Sequence, residues 1–283
     1  MYTKRRYRDL EALNEYLAEV LAYHEVPELS DQEEGELSIL KANIYKVTTK
    51  LKYQKELLQK DKTELADAMA DISHQMKTPL TSMMIMNDLL KEEADEKKRK
   101  EFLNTQAAQL NRMNWLIQTL LKLSKVDAGT VRLVREEVPS GKLVKEAVRP
   151  FEIQCELKGI VLDTELIPVT IRCDKSWTVE ALQNILKNCI EHMEEGGTLT
   201  IRMNDTNLYT AILISDTGCG IDPEDLPHIF ERFYKGKNAG RDSVGIGLAL
   251  ARTILENEHG EILVSSTPGE GTSFEIRFYK TII

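Results

Sequence analysis

Nowhere in its 283 residues does this chain contain an apolar run of the roughly eighteen residues that a membrane span needs, and its start does not have the make-up of a signal peptide. It has only four cysteines, Cys155, Cys173, Cys189 and Cys219, and no two of them form a C-x-x-C pair. That spacing suggests no zinc site and reads as reduced thiols in a cytosolic compartment. An excess of positive charge is missing too: 37 Lys and Arg stand against 46 Asp and Glu, a net charge of −9. This argues against nucleic acid as the main partner. There is no internal repeat and no low-complexity segment, so neither a solenoid nor a disordered tail is indicated. What remains is an ordinary soluble composition, long enough for about one to three domains with their own cores.

The chain falls into three parts. Residues 3–24 have helical spacing in Leu10, Leu13, Leu17, Val20 and Leu21, until Pro27 and an acidic run from Asp31 to Glu36 break the pattern. A basic cluster, Lys4, Arg5, Arg6 and Arg8, has the make-up of a segment just cytoplasmic of a membrane helix, although a solvated helix start would read the same. A second helix is expected from Glu36 to about Glu92, with Leu37, Leu40, Ile44, Val47 and Leu51 apolar. Further along, Leu65, Met69, Ile72, Met76, Leu80 and Met83 follow the four–three alternation of a bundle seam. After a charged turn at 91–100, a third helix runs to about Lys125, with Leu103, Ala107, Leu110, Met113, Ile117 and Leu120 inward. Two long helices and a short connection make an antiparallel hairpin, and two hairpins complete a four-helix bundle, so a homodimer is expected. Past the Ala128-Gly129 joint the texture changes. Strands are expected at 131–138, 160–165, 169–172, 198–204, 208–215, 261–267 and 273–279, and helices at 140–156, 174–194 and 246–258. The fold class is α+β: a helical hairpin followed by an α/β two-layer sandwich.

Two groups of residues carry chemistry. Residues 71–82 read D-I-S-H-Q-M-K-T-P-L-T-S. His74 lies off the seam and faces outward, where a core-packing histidine would lie on it. Pro79 removes a helix hydrogen bond one turn later. A neutral imidazole can attack phosphorus through one nitrogen when the other N–H is held. Gln75 can accept such a bond but cannot take a proton, and a positioned base contributes ~10²–10⁴-fold. The Thr78 hydroxyl, one turn on, could orient a water.

The second group is made of glycine turns. Asp216 ends an apolar run and opens D-T-G-C-G, where a carboxylate backed by Gly218 and Gly220 can accept from an exocyclic amine such as that of adenine. In G-I-G-L-A-L, Gly245, Gly247 and Leu248 open an apolar helix whose free N–H groups suit phosphate. Asn184 and Asn188 share a helix face, and an amide oxygen there could ligate Mg²⁺; two solvated asparagines would look alike. Phe230, Phe233, Lys235, Lys237, Asn238, Gly240 and Arg241 have the make-up of a lid over phosphates, or of a solvated loop. His24, His228 and His259 read as surface residues, and Trp115 and Trp177 as packing.

Asparagine box, D-x-G-x-G, phenylalanine box and G-x-G-L-A-L, in that order and with S-H-x-x-K-T-P-L upstream, resemble the sensor histidine kinases of two-component signalling over residues 60–283. Residues 1–60 more loosely resemble a HAMP-type signal-transmitting linker, through E-G-E-L at 34–37. The resemblance implies a linker over 1–60, a dimerisation and phosphotransfer hairpin over 61–128 and an ATP-binding domain over 129–283. It makes His74 the phosphorylated histidine, Asn188 the Mg²⁺ ligand with Asn184 its companion, and Asp216 the adenine-recognising residue. Gly245 and Gly247 become the phosphate-side glycines, Gly269, Gly271 and Thr272 the last glycine box, and Phe230 and Phe233 the approach to the lid. Thr78 matches a residue that assists dephosphorylation of the partner. It implies ATP and Mg²⁺, a response-regulator partner, a homodimer and a membrane sensor segment preceding this cytoplasmic portion. Two positions depart. Gln75 stands where an acidic residue is usual, and Glu191 where a basic residue often holds phosphate, a lack that Lys187 or the lid cations could offset. Two rival readings stay open: a degenerate kinase acting as regulator phosphatase or nucleotide-binding module, and another GHKL member such as an ATPase clamp or serine-directed kinase.

Overall fold

The computed structural model describes Glu11, Asn14 and residues 36–93, 95–237 and 243–280. Glu11 and Asn14 are helical, while the rest of the expected 3–24 helix lies outside the described residues, as do Pro27, His24, Asn238, Gly240 and Arg241 and the side chains of Leu37 and Leu65. The chain divides into two units, residues 1–71 and 72–283.

Apart from Glu11 and Asn14, the described residues of the first unit belong to helix α1 (Glu36–Glu92), which enters the second. It is long because no glycine or proline interrupts residues 36–78. In the first unit its apolar residues Ile39, Val47, Leu51, Leu58 and Met69 are all exposed. In the second unit α1 pairs with α2 (Glu96–Asp127), which starts where the Asp95 side chain accepts the Lys97 N–H at 2.9 Å. The Gln106 amide reaches across to the Met83 carbonyl at 3.2 Å.

The positions expected to face inward in this hairpin divide. Met76, Met83, Met113 and Leu120 are half-buried, but Leu80, Leu103, Ala107, Leu110 and Ile117 are exposed. The residues that α2 buries are instead Leu116, Thr119, Leu123 and Val126. A bundle helix carries two apolar stripes, and a single chain covers only one of them. Periodicity identifies both stripes as apolar without saying which neighbour each meets.

The second layer follows α2. Strand β1 (Glu136–Pro139) pairs antiparallel with β3 (Thr170–Cys173). The main sheet runs β2-β4-β5-β7-β6, from β2 (Val161–Glu165), β4 (Thr198–Asp205), β5 (Tyr209–Asp216), β6 (Gly260–Thr267) and β7 (Gly271–Tyr279). Only β2 and β4 are parallel. Helices α3 (Ser140–Val148), α5 (Lys175–His192) and α6 (Gly247–Asn257) cover one face. Leu143, Ile185, Leu186 and Leu250 pack there against Leu199, Ile212, Ile214, Phe274 and Ile276. Leu116, Leu123 and Val126 of α2 join the same core.

Two expected elements change. The 131–138 strand is a strand only from Glu136, because residues before it are held by side chains rather than by a neighbouring strand. The Val134 N–H donates to Asp174 Oδ2 at 2.9 Å, and Arg135 binds Glu258 at 3.0 Å and the Asn257 carbonyl at 2.6 Å. The 140–156 helix is interrupted at Pro150, which cannot donate and crowds the preceding turn. The chain passes through a 3₁₀ turn (Arg149–Phe151) into a short α4 (Glu152–Lys158).

Candidate functional site

His74 is exposed on α1 and does not line the cleft described below. Gln75, the next residue, is half-buried. The helix continues through the buried Pro79, whose missing N–H leaves the Gln75 carbonyl without its usual helical donor. Thr78 is exposed, and its hydroxyl donates to the His74 carbonyl at 3.3 Å. Beside it, Lys77, Thr81, Ser82, Ile85 and Met86 line a shallow groove.

A cleft opens between the end of the sheet and helix α5. Nine of the sequence-predicted residues line it: Asn184, Asn188, Asp216, Gly220, Lys235, Gly245, Gly247, Leu248 and Thr272. They come from four separated stretches of chain, brought together by the pairing of β5 with β7, which sets Asp216 opposite Thr272. Asp216 is buried at the end of β5. Its Oδ1 accepts the Gly218 N–H at 2.9 Å and the Thr272 N–H at 3.2 Å. Burial raises its pKa above the ordinary value of 3.8, against the pull of those two N–H groups and of the buried Cys189 thiol. Gly218 acts through its N–H and is not part of the lining. Gly271 must be glycine: its φ is 124°, and a Cβ there would be driven into the Asp216 carbonyl.

Helix α6 opens without a side-chain cap at Ile246, so the N–H groups of its first turn are available to an anion. Gly245, with φ 75°, lets that turn close against the backbone of Phe233 and Tyr234. Phe233 lies outside the lining, packs against the core, and donates its N–H to the Gly245 carbonyl at 2.8 Å. The phenylalanine box is thereby fastened to the glycine loop.

On α5, Asn184 is committed: its Nδ2 donates to the Glu180 carbonyl at 2.8 Å. The Asn188 side chain, one turn on, lines the cleft and forms no hydrogen bond with the described residues. An amide oxygen lining an anion-ready cleft is the donor type that suits a hard divalent cation.

Lining residues such as Asp225 and Tyr234 had no place in the sequence reading, and another gains a second role. Trp115, read as packing, does pack against the core and also lines the cleft from helix α2. Asp225 and Tyr234 line it as well, and they are bonded to each other. Asp225 accepts the Tyr234 hydroxyl at 2.8 Å and the Lys237 N–H at 2.8 Å, which fixes the root of the 234–237 segment. That bond raises the tyrosine pKa. Lys237 is held by Asp222 at 3.0 Å and Glu224 at 2.9 Å, and its pKa is raised by those two carboxylates. The acids at 222–231 followed by bases at 232–237 were the available signal, but they do not say which pairs close.

Comparison with known proteins agrees with this geometry. Residues 64–129 match the family model of the His Kinase A (phospho-acceptor) domain, and residues 173–282 match that of the histidine kinase-, DNA gyrase B- and HSP90-like ATPases. The chain belongs to the sensor histidine kinases of two-component systems. Among members of this family, the heme sensor protein HssS of Staphylococcus saprophyticus is 30% identical over 210 residues, 74% of this chain and 45% of that protein. The sensor-like histidine kinase SenX3 of Mycobacterium tuberculosis is 30% identical over 217 residues, 74% of this chain and 52% of SenX3. The chain thus spans about half the length of the curated relatives it matches. Among solved structures, the histidine kinase ThkA in complex with response regulator protein TrrA has a similar fold, with a TM-score of 0.65 and 23% identity over 81% of this chain and 66% of that one. The ATPase-model match contains every cleft residue but Trp115, and the phospho-acceptor match contains Trp115 and His74.

Proposed function

We propose that the chain is the kinase core of a two-component sensor, binding ATP in the cleft, phosphorylating itself on His74 and passing the phosphoryl group to an aspartate of a response regulator. The observation that carries this reading is the convergence on one cleft of a buried carboxylate, an amide with no hydrogen bond among the described residues and an uncapped helix start, in a chain that also exposes His74. Asp216 recognises the adenine amino group through the carboxylate oxygen not used by Gly218 and Thr272. The first turn of α6 binds the phosphates. Asn188 is the Mg²⁺ ligand, and the ion supplies charge neutralisation of the phosphates. One ring nitrogen of His74 attacks the γ-phosphorus, ADP leaves, and the proton of the other nitrogen goes to an acceptor outside the Gln75 amide, which cannot take it. Catalysis is positioning plus charge stabilisation.

The same reading makes residues 1–60 a HAMP-like transmitting linker, 61–128 the dimerisation hairpin and 129–283 the ATP-binding domain. The exposed Leu103, Leu110, Ile117 and Leu121 support a second copy of the chain across that stripe. The basic cluster Lys4, Arg5, Arg6 and Arg8 supports a place beside a membrane, with a sensor segment preceding it. Among the described residues no helix is long and apolar enough to cross one.

Gln75 supports a second reading, in which the chain acts mainly on its regulator as a phosphatase. The Thr78 oxygen, donating its hydrogen to the His74 carbonyl, still has lone pairs for a water. Incubation with Mg²⁺ and γ-labelled ATP separates the two. Acid-labile label that disappears in His74→Ala is the expected result, with faster labelling in Gln75→Glu. An unlabelled chain that binds ATP and strips phosphate from a regulator would establish the second reading.

A further inference from the structure

Of the described residues that line the cleft, Trp115 alone comes from the helical hairpin. Lys187 of α5 lies over its indole, with Nζ 4.0 Å from the ring centroid. The same ammonium is 3.7 Å from the Glu191 carboxylate. Trp115 thereby extends a dock that α2 makes through Leu116, Leu123 and Val126, and through Lys122 bonded to Glu180 at 2.7 Å.

The wall around Lys187 is rich in negative charge. Glu191, Asp216, Asp222 and Asp225 line the cleft, against Lys187 and Lys235 as its ammonium groups. A polyphosphate entering this wall brings more negative charge and draws on those cations. Lys187 is held loosely: its ion pair is long, both partners are about two-fifths exposed, and the cation–π contact is weak where water reaches it. A charge-assisted bond to phosphate is stronger than either. Lys187 also immediately precedes Asn188, so it sits beside the amide assigned to the metal.

We infer that Trp115 and Lys187 form a phosphate-sensitive tie between the hairpin and the nucleotide-binding layer. Lys187 rests on Trp115 until a polyphosphate takes it, and the transfer loosens the hold of the hairpin on the layer. The inference rests on the nucleotide reading of the cleft. It makes Lys187 a phosphate ligand and Trp115 a positioning residue that competes for it, so that nucleotide binding itself prepares the movement that brings phosphate to His74.

The test uses the intrinsic fluorescence of the full chain, which has two tryptophans, Trp115 and Trp177. The emission of Trp115 is the difference between the parent and Trp115→Leu. ADP is expected to change it, and adenosine at saturation to leave it as it was. Lys187→Gln should lose the ADP-induced change and weaken ADP about tenfold, the scale of one bond to a charged group, with adenosine affinity unaltered. Trp115→Leu, with the competitor gone, should bind ADP about two- to fivefold more tightly; a residue that merely packs would weaken it. An equal emission change with adenosine, a change that persists in Lys187→Gln, or ADP binding by calorimetry without any change would overturn the tie. A parent chain that binds neither ligand would overturn the nucleotide reading along with it.

Discussion

The hairpin and the α/β layer use the same kinds of apolar residue to opposite ends. In the layer, Leu143, Ile185, Leu186, Ile212 and Phe274 are sealed within one chain. In the hairpin, Leu103, Leu110 and Ile117 are 54%, 57% and 41% exposed, at a spacing of seven residues. The core of the layer closes within one chain, with Leu116, Leu123 and Val126 of α2 joining it, whereas the other stripe of the hairpin lies open. An apolar stripe seven residues in period is therefore better evidence of a partner than of a core, and its strength should depend on protein concentration where that of the layer does not.

The contrast breaks if charge on the open stripe does not matter. Replacing Leu110 and Ile117 together by Glu should weaken self-association about a thousandfold, read by sedimentation, while near-ultraviolet circular dichroism of the layer stays unaltered. A loss of tertiary signal at the same time would mean that the stripe belongs to the core of one chain. Next in size, Asp216→Asn should weaken ATP about a hundredfold. The two backbone N–H groups on Oδ1 orient the amide so that its NH₂ meets the adenine amine donor to donor. Calorimetry on the folded variant would read this, and unchanged affinity would move adenine recognition elsewhere.

Two smaller effects sharpen the comparison. Leu186→Ala, in the sealed layer, should cost about 3 kcal/mol in denaturant unfolding, and Leu103→Ala under about 0.5 kcal/mol at concentrations where the chain is monomeric. Equal costs would erase the distinction between layer and hairpin. The last is a pH effect. The raised pKa of Asp216 means that its folded form holds a proton more tightly than the unfolded chain does. Its contribution to stability is thus fully present below the ordinary value of 3.8 and lost as pH rises through the raised folded value. Nucleotide binding, which uses the ionised form, has the opposite sign and should fall on acidification from a pH above that ordinary value. Asp216→Asn should flatten the stability profile in that window, and an unaltered profile would assign the titration to another group.

Much of this was legible in the residues. The α1 limits, seven strands and the order of the glycine turns follow from pattern, because strand and helix periods and glycine before a helix are local signals. Nine cleft residues could be named in advance for the same reason. What was hidden depends on neighbours distant in sequence. The side-chain fastening of 131–135 needs Glu258 and Asp174, more than a hundred and about forty residues away respectively. Trp115 became a cleft residue only because α2 docks on the layer. The Asp225 clasp of Tyr234 and Lys237 is short in sequence, yet in a run with several acids and bases no rule of spacing picks the pair that closes.

The fastening at Val134 and Arg135 also fixes the length of a leash. Helix α2 ends at Asp127, and Val134 is already bonded to the layer. Residues 128–133 are all that connects them, and fully drawn out they reach ~20 Å. A layer released from its dock cannot wander; it searches a small volume around its own hairpin. On the proposed function, the phosphate it carries would therefore be offered to a histidine at high effective concentration.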